Sequence, residues 1–427
     1  MERTSTKEKL SLSGVLVTCV LSLRPLLHFV FWCPVNAVRF KLFFARREQE
    51  EGAEPQFLLA SILQWYEVWQ RPQHFTSHLS TKFKVCFLSP VPVHHIVGQA
   101  RLWLGRRMKR ISDNLAVFAP LLLPGENKIS LIRAINRLLW VSYVREAAMT
   151  LRMPKPVFWL NFPFNERLVK AIPFRSVVYD VMDEFVEFSM APRNAAAREA
   201  KVLEAASFVS TGTYALFQKK KALHANVEYI PCGVDFELFN GVVMRRPPAP
   251  SDFPKVQGAT FGYFGSLNER IDGKMIEDVA RRRPSWTFVM IGPVHRSYSA
   301  DRQLRNVHYL GLKGYRSLPA YLAYFDVCMM PYKITEATSH ISPVKLLEYF
   351  ASGKPVITTR IPDVLRFYES LVWVVDDAND FITKAEAILR TKSGGQFNPA
   401  PFIEVARRRS WAEMSEQMLE GILGVLK

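Results

Sequence analysis

The chain has 427 residues, enough for two domains of ordinary size and a remainder. Apolar residues make up 49% and charged residues 22%, an ordinary globular balance that excludes a disordered chain. The net charge of +17 calls for an anionic partner, and nucleic acid, an anionic membrane surface and phosphorylated small molecules all qualify. The five cysteines, Cys19, Cys33, Cys86, Cys232 and Cys328, are scattered, with no Cys-x-x-Cys pair and no His cluster at ligand spacing. A reducing compartment without structural zinc is therefore expected.

Residues 1–50 differ in pattern from the rest of the chain. Leu10 to Trp32 is largely apolar, but Arg24-Pro25 interrupts the unbroken run that a membrane span needs. The extension is a candidate membrane anchor or, on the blander reading, an extra core helix. Arg39, Lys41, Arg46 and Arg47 would keep the downstream chain on the cytoplasmic side, peripheral on the inner membrane face. From Phe57 onward the pattern is regular. Apolar runs of the kind found in buried parallel strands occur at Phe57–Ile62, Lys84–Leu88, Leu115–Phe118, Pro156–Leu160, Ser176–Val181, Ser207–Ser210 and Val227–Pro231. Helical stretches separate several of them, and Ile129–Met153 carries the clearest apolar stripe. Arg101–Arg110 is the densest basic segment, with interleaved Trp103 and Leu104 that suit an anionic lipid surface as well as a solvated face. No recognised nucleic-acid module surrounds it, so nucleic acid is not the expected partner.

Pro247-Pro248-Ala249-Pro250 reads as a linker, which gives domains at 51–245 and 246–400 and a last helical segment, 401–427, that can return to the first domain. The second domain alternates strands at Thr260–Phe264, Thr287–Ile291, Val307–Leu310, Val327–Met330, Val356–Thr359 and Val372–Val375 with helices. The expected class is α/β, two Rossmann-like doubly wound domains whose ligands lie beyond the carboxyl ends of the strands.

One stretch of the second domain carries most of the chemistry. Ser342 suits a helix N-cap, Pro343 the first helical position and Gly353 a left-handed exit. Lys345 is the odd residue, because a cation in the first turn opposes the helix dipole unless an anion is bound there. The helix start, Ser342 to Lys345 through Val344, therefore reads as a phosphate seat. Glu348, one turn on, is placed to take hydrogen bonds from ribose hydroxyls. A surface ion pair between Lys345 and Glu348 is the plain alternative.

Several runs together resemble a known family. They are Trp69-Gln70-Arg71-Pro72-Gln73-His74, Val178 to Asp183, Tyr229-Ile230-Pro231-Cys232-Gly233-Val234-Asp235, Gly262-Tyr263-Phe264-Gly265, Ile291-Gly292-Pro293 and Pro343 to Pro355. In that order they resemble the nucleotide-sugar-dependent glycosyltransferases of GT-B type, nearest to the large retaining family 4. The resemblance implies two domains facing across a cleft, with transfer of a sugar from a nucleoside diphosphate sugar to a glycan or lipid-linked acceptor and retention at the anomeric carbon; no metal or other cofactor is expected, since the sequence has no Asp-x-Asp pair and cations can neutralise the diphosphate. It places the donor at Gly265, Ser266, Arg270, Gly292, Pro293, Ser342, Pro343, Val344, Lys345 and Glu348. His74, Asp180 and Asp183 would face the acceptor. His74, Asp183, Arg270 and Lys345 are the expected catalytic groups; the basic residue that usually follows the glycine loop is replaced by Ser266, so Arg270 or Lys274 has to join Lys345 in neutralising the diphosphate. The family's Glu-x7-Glu signature is broken, because His340 stands where the first glutamate is expected. A nucleotide-sugar 2-epimerase and a binding protein that has lost catalysis remain the alternatives on the same fold.

Overall fold

The computed structural model describes residues 25, 27–45, 54–66, 69–92, 108–123, 125–126, 129–187, 191–245, 247–335, 338 and 344–426. Ser342, Pro343, His340 and the basic run Arg101–Arg107 lie outside them.

Contact grouping divides the chain into two compact units. The first holds the chain up to Gly212, then Leu216–Ile230 and everything from Ser415 on; the second holds Thr213–Ala215 and Pro231–Met414.

In the first unit a π-helical turn at His28–Trp32 leads into helix α1, Cys33–Ala45. Strand β1, Phe57–Ala60, and helix α2, Arg71–Leu79, follow, then β2, Val85–Leu88. A short pair is made by β3, Val91–Pro92, and β6, Leu121–Leu122, while β4, Met108–Arg110, precedes β5, Leu115–Phe118. Helix α3, Ser130–Thr150, connects to β7, Val157–Leu160; β8, Ser176–Val181, β9, Phe208–Thr211, and β10, Val227–Tyr229, complete the set. The main sheet runs β10-β9-β8-β7-β1-β2-β5-β4, and every pairing is parallel except β4 on β5. Strands β1, β2, β5, β7, β8 and β9 are buried along their whole length, which is why they read as continuous apolar runs instead of alternating ones. The chain winds outward from β1 in both directions, so the topological switch point lies between β1 and β7.

Helix α1 lies on α3. His28 stacks on Tyr143 with ring centroids 4.3 Å apart and meets the Ser142 hydroxyl through Nε2 at 3.0 Å, and Asn36 donates to the same hydroxyl at 3.3 Å. Among the described residues no helix is long and apolar enough to cross a membrane.

The second unit begins with helix α4, Phe236–Arg245. Its six-stranded sheet is wholly parallel, in the order β13-β12-β11-β14-β15-β16: β11 is Thr260–Phe264, β12 Thr287–Ile291, β13 Val307–Gly311, β14 Val327–Met330, β15 Val356–Thr358 and β16 Trp373–Val374. The switch point falls between β11 and β14. Helix α5, Val344–Ala351, joins β14 to β15, and the last helix, α6, is Trp411–Gly424. Gly353 leaves α5 at φ +65°, with the Lys354 N–H bonded to the Tyr349 carbonyl, as a left-handed helix exit requires. The units part at Ile230, before the proline-rich linker, because Val234, Phe236 and Phe239 are buried in the second core. In the first unit α6 approaches β9 so closely that a Cβ on Gly421 would lie 2.4 Å from the Phe208 ring.

Candidate functional site

In the second unit the chain leaves β11 and β12 through two glycines in the left-handed region, Gly265 at φ +146° and Gly292 at φ +139°. The Gly265 N–H bonds to the Ile291 carbonyl at 2.8 Å, drawing the two exits together. A Cβ on Gly292 would lie only 1.9 Å from the Gly265 carbonyl oxygen, so no side chain fits between them. Gly262 answers a different demand: a Cβ there would meet the Phe325 ring at 2.0 Å, which makes it a packing glycine inside the strand and not one cleared for a ligand.

Lys345, in the first turn of α5, reaches this same spot. A Cβ built on Gly265 would lie 2.3 Å from Lys345 Cε and 3.1 Å from Nζ, so the ammonium rests over the glycine exit. Helix α5 is held there by Tyr349, fully buried, whose hydroxyl accepts the Phe264 N–H at 3.2 Å and whose ring packs edge-on against Phe264. Glu348 is only 5% exposed. Burial pushes its carboxyl up to about 7, against the pull of the Lys345 charge and of a hydrogen bond with Tyr315; Asp235 pushes the same way as burial. Ser266, Arg270 and Pro293 line the adjoining turns and are exposed, while Arg270 is fixed by its backbone: its carbonyl accepts the Lys333 N–H at 2.8 Å. Gly265, Gly292, Lys345 and Glu348 thus come together as the sequence suggests. Tyr315, Asp235 and Tyr349 are additions; Asp235 and Tyr349 belong to the motifs that carry the family resemblance, whereas nothing near Tyr315 in sequence signals its contact with Glu348.

In the first unit, His74 sits on α2, the helix after β1 and so beside that unit's switch point. It is partly buried, lies edge-on to Trp69 at 5.4 Å, and burial, aided by His78, lowers its pKa to about 4, so the imidazole is neutral at pH 7. Asp183 stands on the turn after β8, exposed, with its carboxyl raised by partial desolvation. Asp180 is elsewhere. It is fully buried and its oxygens are taken by Arg71 Nε at 2.9 and 3.0 Å, Arg71 Nη2 at 2.8 Å, Ser210 Oγ at 2.7 Å and Asn161 Nδ2 at 3.3 Å. Arg71 also donates to the Ile230 carbonyl. A carboxylate so enclosed and so fully paired has nothing left to offer an acceptor; it ties β8, β9 and the start of α2 together.

Glycine exits at a switch point, with a cation over them and a buried carboxyl one helical turn away, form a seat for a phosphorylated ligand that also carries hydroxyls. Residues 258–391 match the family model described as Glycosyl transferases group 1. TuaH of Bacillus subtilis (strain 168), named as a teichuronic acid biosynthesis glycosyltransferase, is 26% identical over 284 residues, 61% of this chain and 70% of that protein. Among solved structures, the sucrose-phosphate synthase of Thermosynechococcus elongatus superposes with a TM-score of 0.62 at 14% identity, over 87% of this chain and 99% of that one. Anabaena HepE, solved with UDP and glucose, gives 0.57 at 12%, over 87% and 100%. The chain has the GT-B fold, and its segment 258–391 is that of a group 1 glycosyltransferase. The solved structures share the fold, and the family match covers the segment that holds Gly265, Gly292, Lys345 and Glu348. Among the described residues of the enzyme, no group of three or more His, Cys, Asp or Glu is set to hold a metal ion.

Proposed function

We propose that the enzyme transfers a hexosyl group from a nucleoside diphosphate sugar to a glycan or lipid-linked acceptor of a surface polysaccharide, with retention, in the manner of family 4, and without a metal. The observation that carries this reading is Lys345 lying over the paired exits of Gly265 and Gly292, with Glu348 one turn behind it. The donor's diphosphate would take the place above Gly265, where Lys345 and Arg270 supply the charge that a metal would otherwise bring. As the glycosidic bond to phosphate breaks, the sugar becomes oxocarbenium-like and negative charge grows on the leaving diphosphate. Cations already in position for that charge lower the barrier most. Glu348 would hold the ribose hydroxyls. The departing phosphate would take the acceptor's proton, with neutral His74 and Asp183 on the acceptor side. UDP in Anabaena HepE and the teichuronic acid assignment of TuaH support a uridine donor and a cell-surface glycan acceptor; the basic, apolar first segment is the reason for placing the reaction at the cytoplasmic membrane face.

A thermal-shift screen of UDP- and GDP-sugars tests the donor half, because a ligand that binds only the native state raises the melting temperature. One sugar nucleotide should stabilise the wild type and leave Lys345→Ala unmoved. Equal stabilisation of both proteins would remove the proposed seat. Product analysis with and without acceptor then separates transfer from epimerisation, which turns over donor alone.

A further inference from the structure

We propose that the outward face of the first helical segment, Leu27 to Val38, docks the enzyme on an anionic lipid surface, lying in the plane of the headgroups. This deepens the reading of a membrane-borne acceptor by naming the surface that would meet the membrane. One side of the segment is accounted for by the first unit: His28 and Asn36 are buried on α3, and Phe29, Cys33 and Phe40 pack against the core. Among the described residues nothing covers the other side. Leu27, Val30, Phe31, Trp32, Val35 and Val38 are between 44% and 61% exposed, although a helix apolar on every side is ordinarily buried on every side. Six large apolar side chains in about three turns form a continuous stripe, not scattered exposure. The π turn contributes by its wider winding: the Cys33 N–H bonds to the His28 carbonyl five residues back, and His28 enters the core while its neighbours Val30, Phe31 and Trp32 stay outside.

Charge identifies what covers this face. From Lys9 to Arg47 the sequence holds six cations, Lys9, Arg24, Arg39, Lys41, Arg46 and Arg47, and not one Asp or Glu. Arg39, one residue beyond the stripe, is exposed. An apolar face with Trp and Phe, on a segment whose own charges are all positive and whose one acidic neighbour across the packing, among the described residues, is Glu146 beside His28, suits acyl chains below and anionic headgroups beside it. A second copy of the chain would bring like charge against like charge.

Vesicle flotation of the full chain decides the matter, using phosphatidylcholine alone and an equal mixture with phosphatidylglycerol. The wild type should float with the mixed vesicles and not the neutral ones, and Phe31→Asp/Val35→Asp should bind them at least about ten-fold more weakly. Both sites are exposed, so an unchanged melting temperature is expected; should that variant fail to fold, Arg39→Gln/Lys41→Gln tests the charge half with the same expected loss. Wild-type flotation by the folded variants, equal binding to neutral vesicles, or a wild-type dimer that Phe31→Asp/Val35→Asp turns into monomer would each overturn the proposal. Donor-induced stabilisation without vesicles is read separately: its absence in both proteins refutes the transferase reading and leaves the docking result standing.

Discussion

Replacing Glu348 with Gln should make the enzyme more stable at high pH and worse at holding its donor. The wild-type carboxyl is buried and titrates at about 7 in place of 4.5. Between those values the folded chain keeps a proton that the unfolded chain has already released, so this group's contribution is intact below about 4.5 and is lost as pH rises through 7. The difference of about 2.5 pH units corresponds to about 3 kcal/mol against the folded state at pH 8.5. Glutamine keeps the shape and cannot ionise. The Glu348→Gln protein should therefore melt with the wild type at pH 4.5 and several degrees above it at pH 8.5. Losing a charged acceptor for the ribose hydroxyls should weaken donor binding by about 10- to 100-fold at pH 8.5. Scanning calorimetry at the two pH values, with titration of the stabilising sugar nucleotide, measures both. A difference in melting temperature that does not change with pH, or a wild type that is the more stable at pH 8.5, would refute the reasoning.

Gly292→Ala should abolish donor binding and lower the melting temperature, since its methyl group would sit 1.9 Å from the Gly265 oxygen on a backbone at φ +139°; donor affinity equal to wild type would contradict the close pairing of the two exits. Arg71→Met strands Asp180 as an uncompensated buried charge and should cost about 3–5 kcal/mol, much of it recovered in Arg71→Met/Asp180→Leu, as read from urea unfolding. A single variant as stable as wild type would show that the pair is not what joins β8, β9 and α2. The His74 ring should stay neutral from pH 8 to 5.5, and its stabilising contribution should fade only as pH drops from about 6.5 towards 4; a His74 resonance titrating near 6.5 by NMR would refute its desolvation.

The strands were legible because both faces of each sheet are covered, so that Phe57–Ala60 and Thr287–Ile291 appear as unbroken apolar runs. Lys345 was legible because a cation is costly at a helix start unless something negative joins it. What failed to show depended on partners far along the chain. Asp180 lies 109 residues from Arg71, and a strand carboxylate met alone looks available. Nothing near Gly262 in sequence signals that the aromatic ring filling the place of its missing side chain comes from Phe325. The proline cluster drew the eye as a boundary, but the run before it, through Phe239, already belongs to the second core. His340, the break in the family signature, lies outside the described residues.

The ends of the first unit's sheet bear on how copies of the chain meet one another. A parallel sheet offers bare amides and carbonyls at its two rims, ready templates for another strand. One rim is β4, three residues long, reversed in direction, with Lys109 and Arg110 turned outward; the other is β10, equally short. Neither is long enough to recruit a foreign strand, and at β4 any newcomer would have to strip water from two cations. Copies of the chain brought together at high concentration are thereby spared growth into fibres.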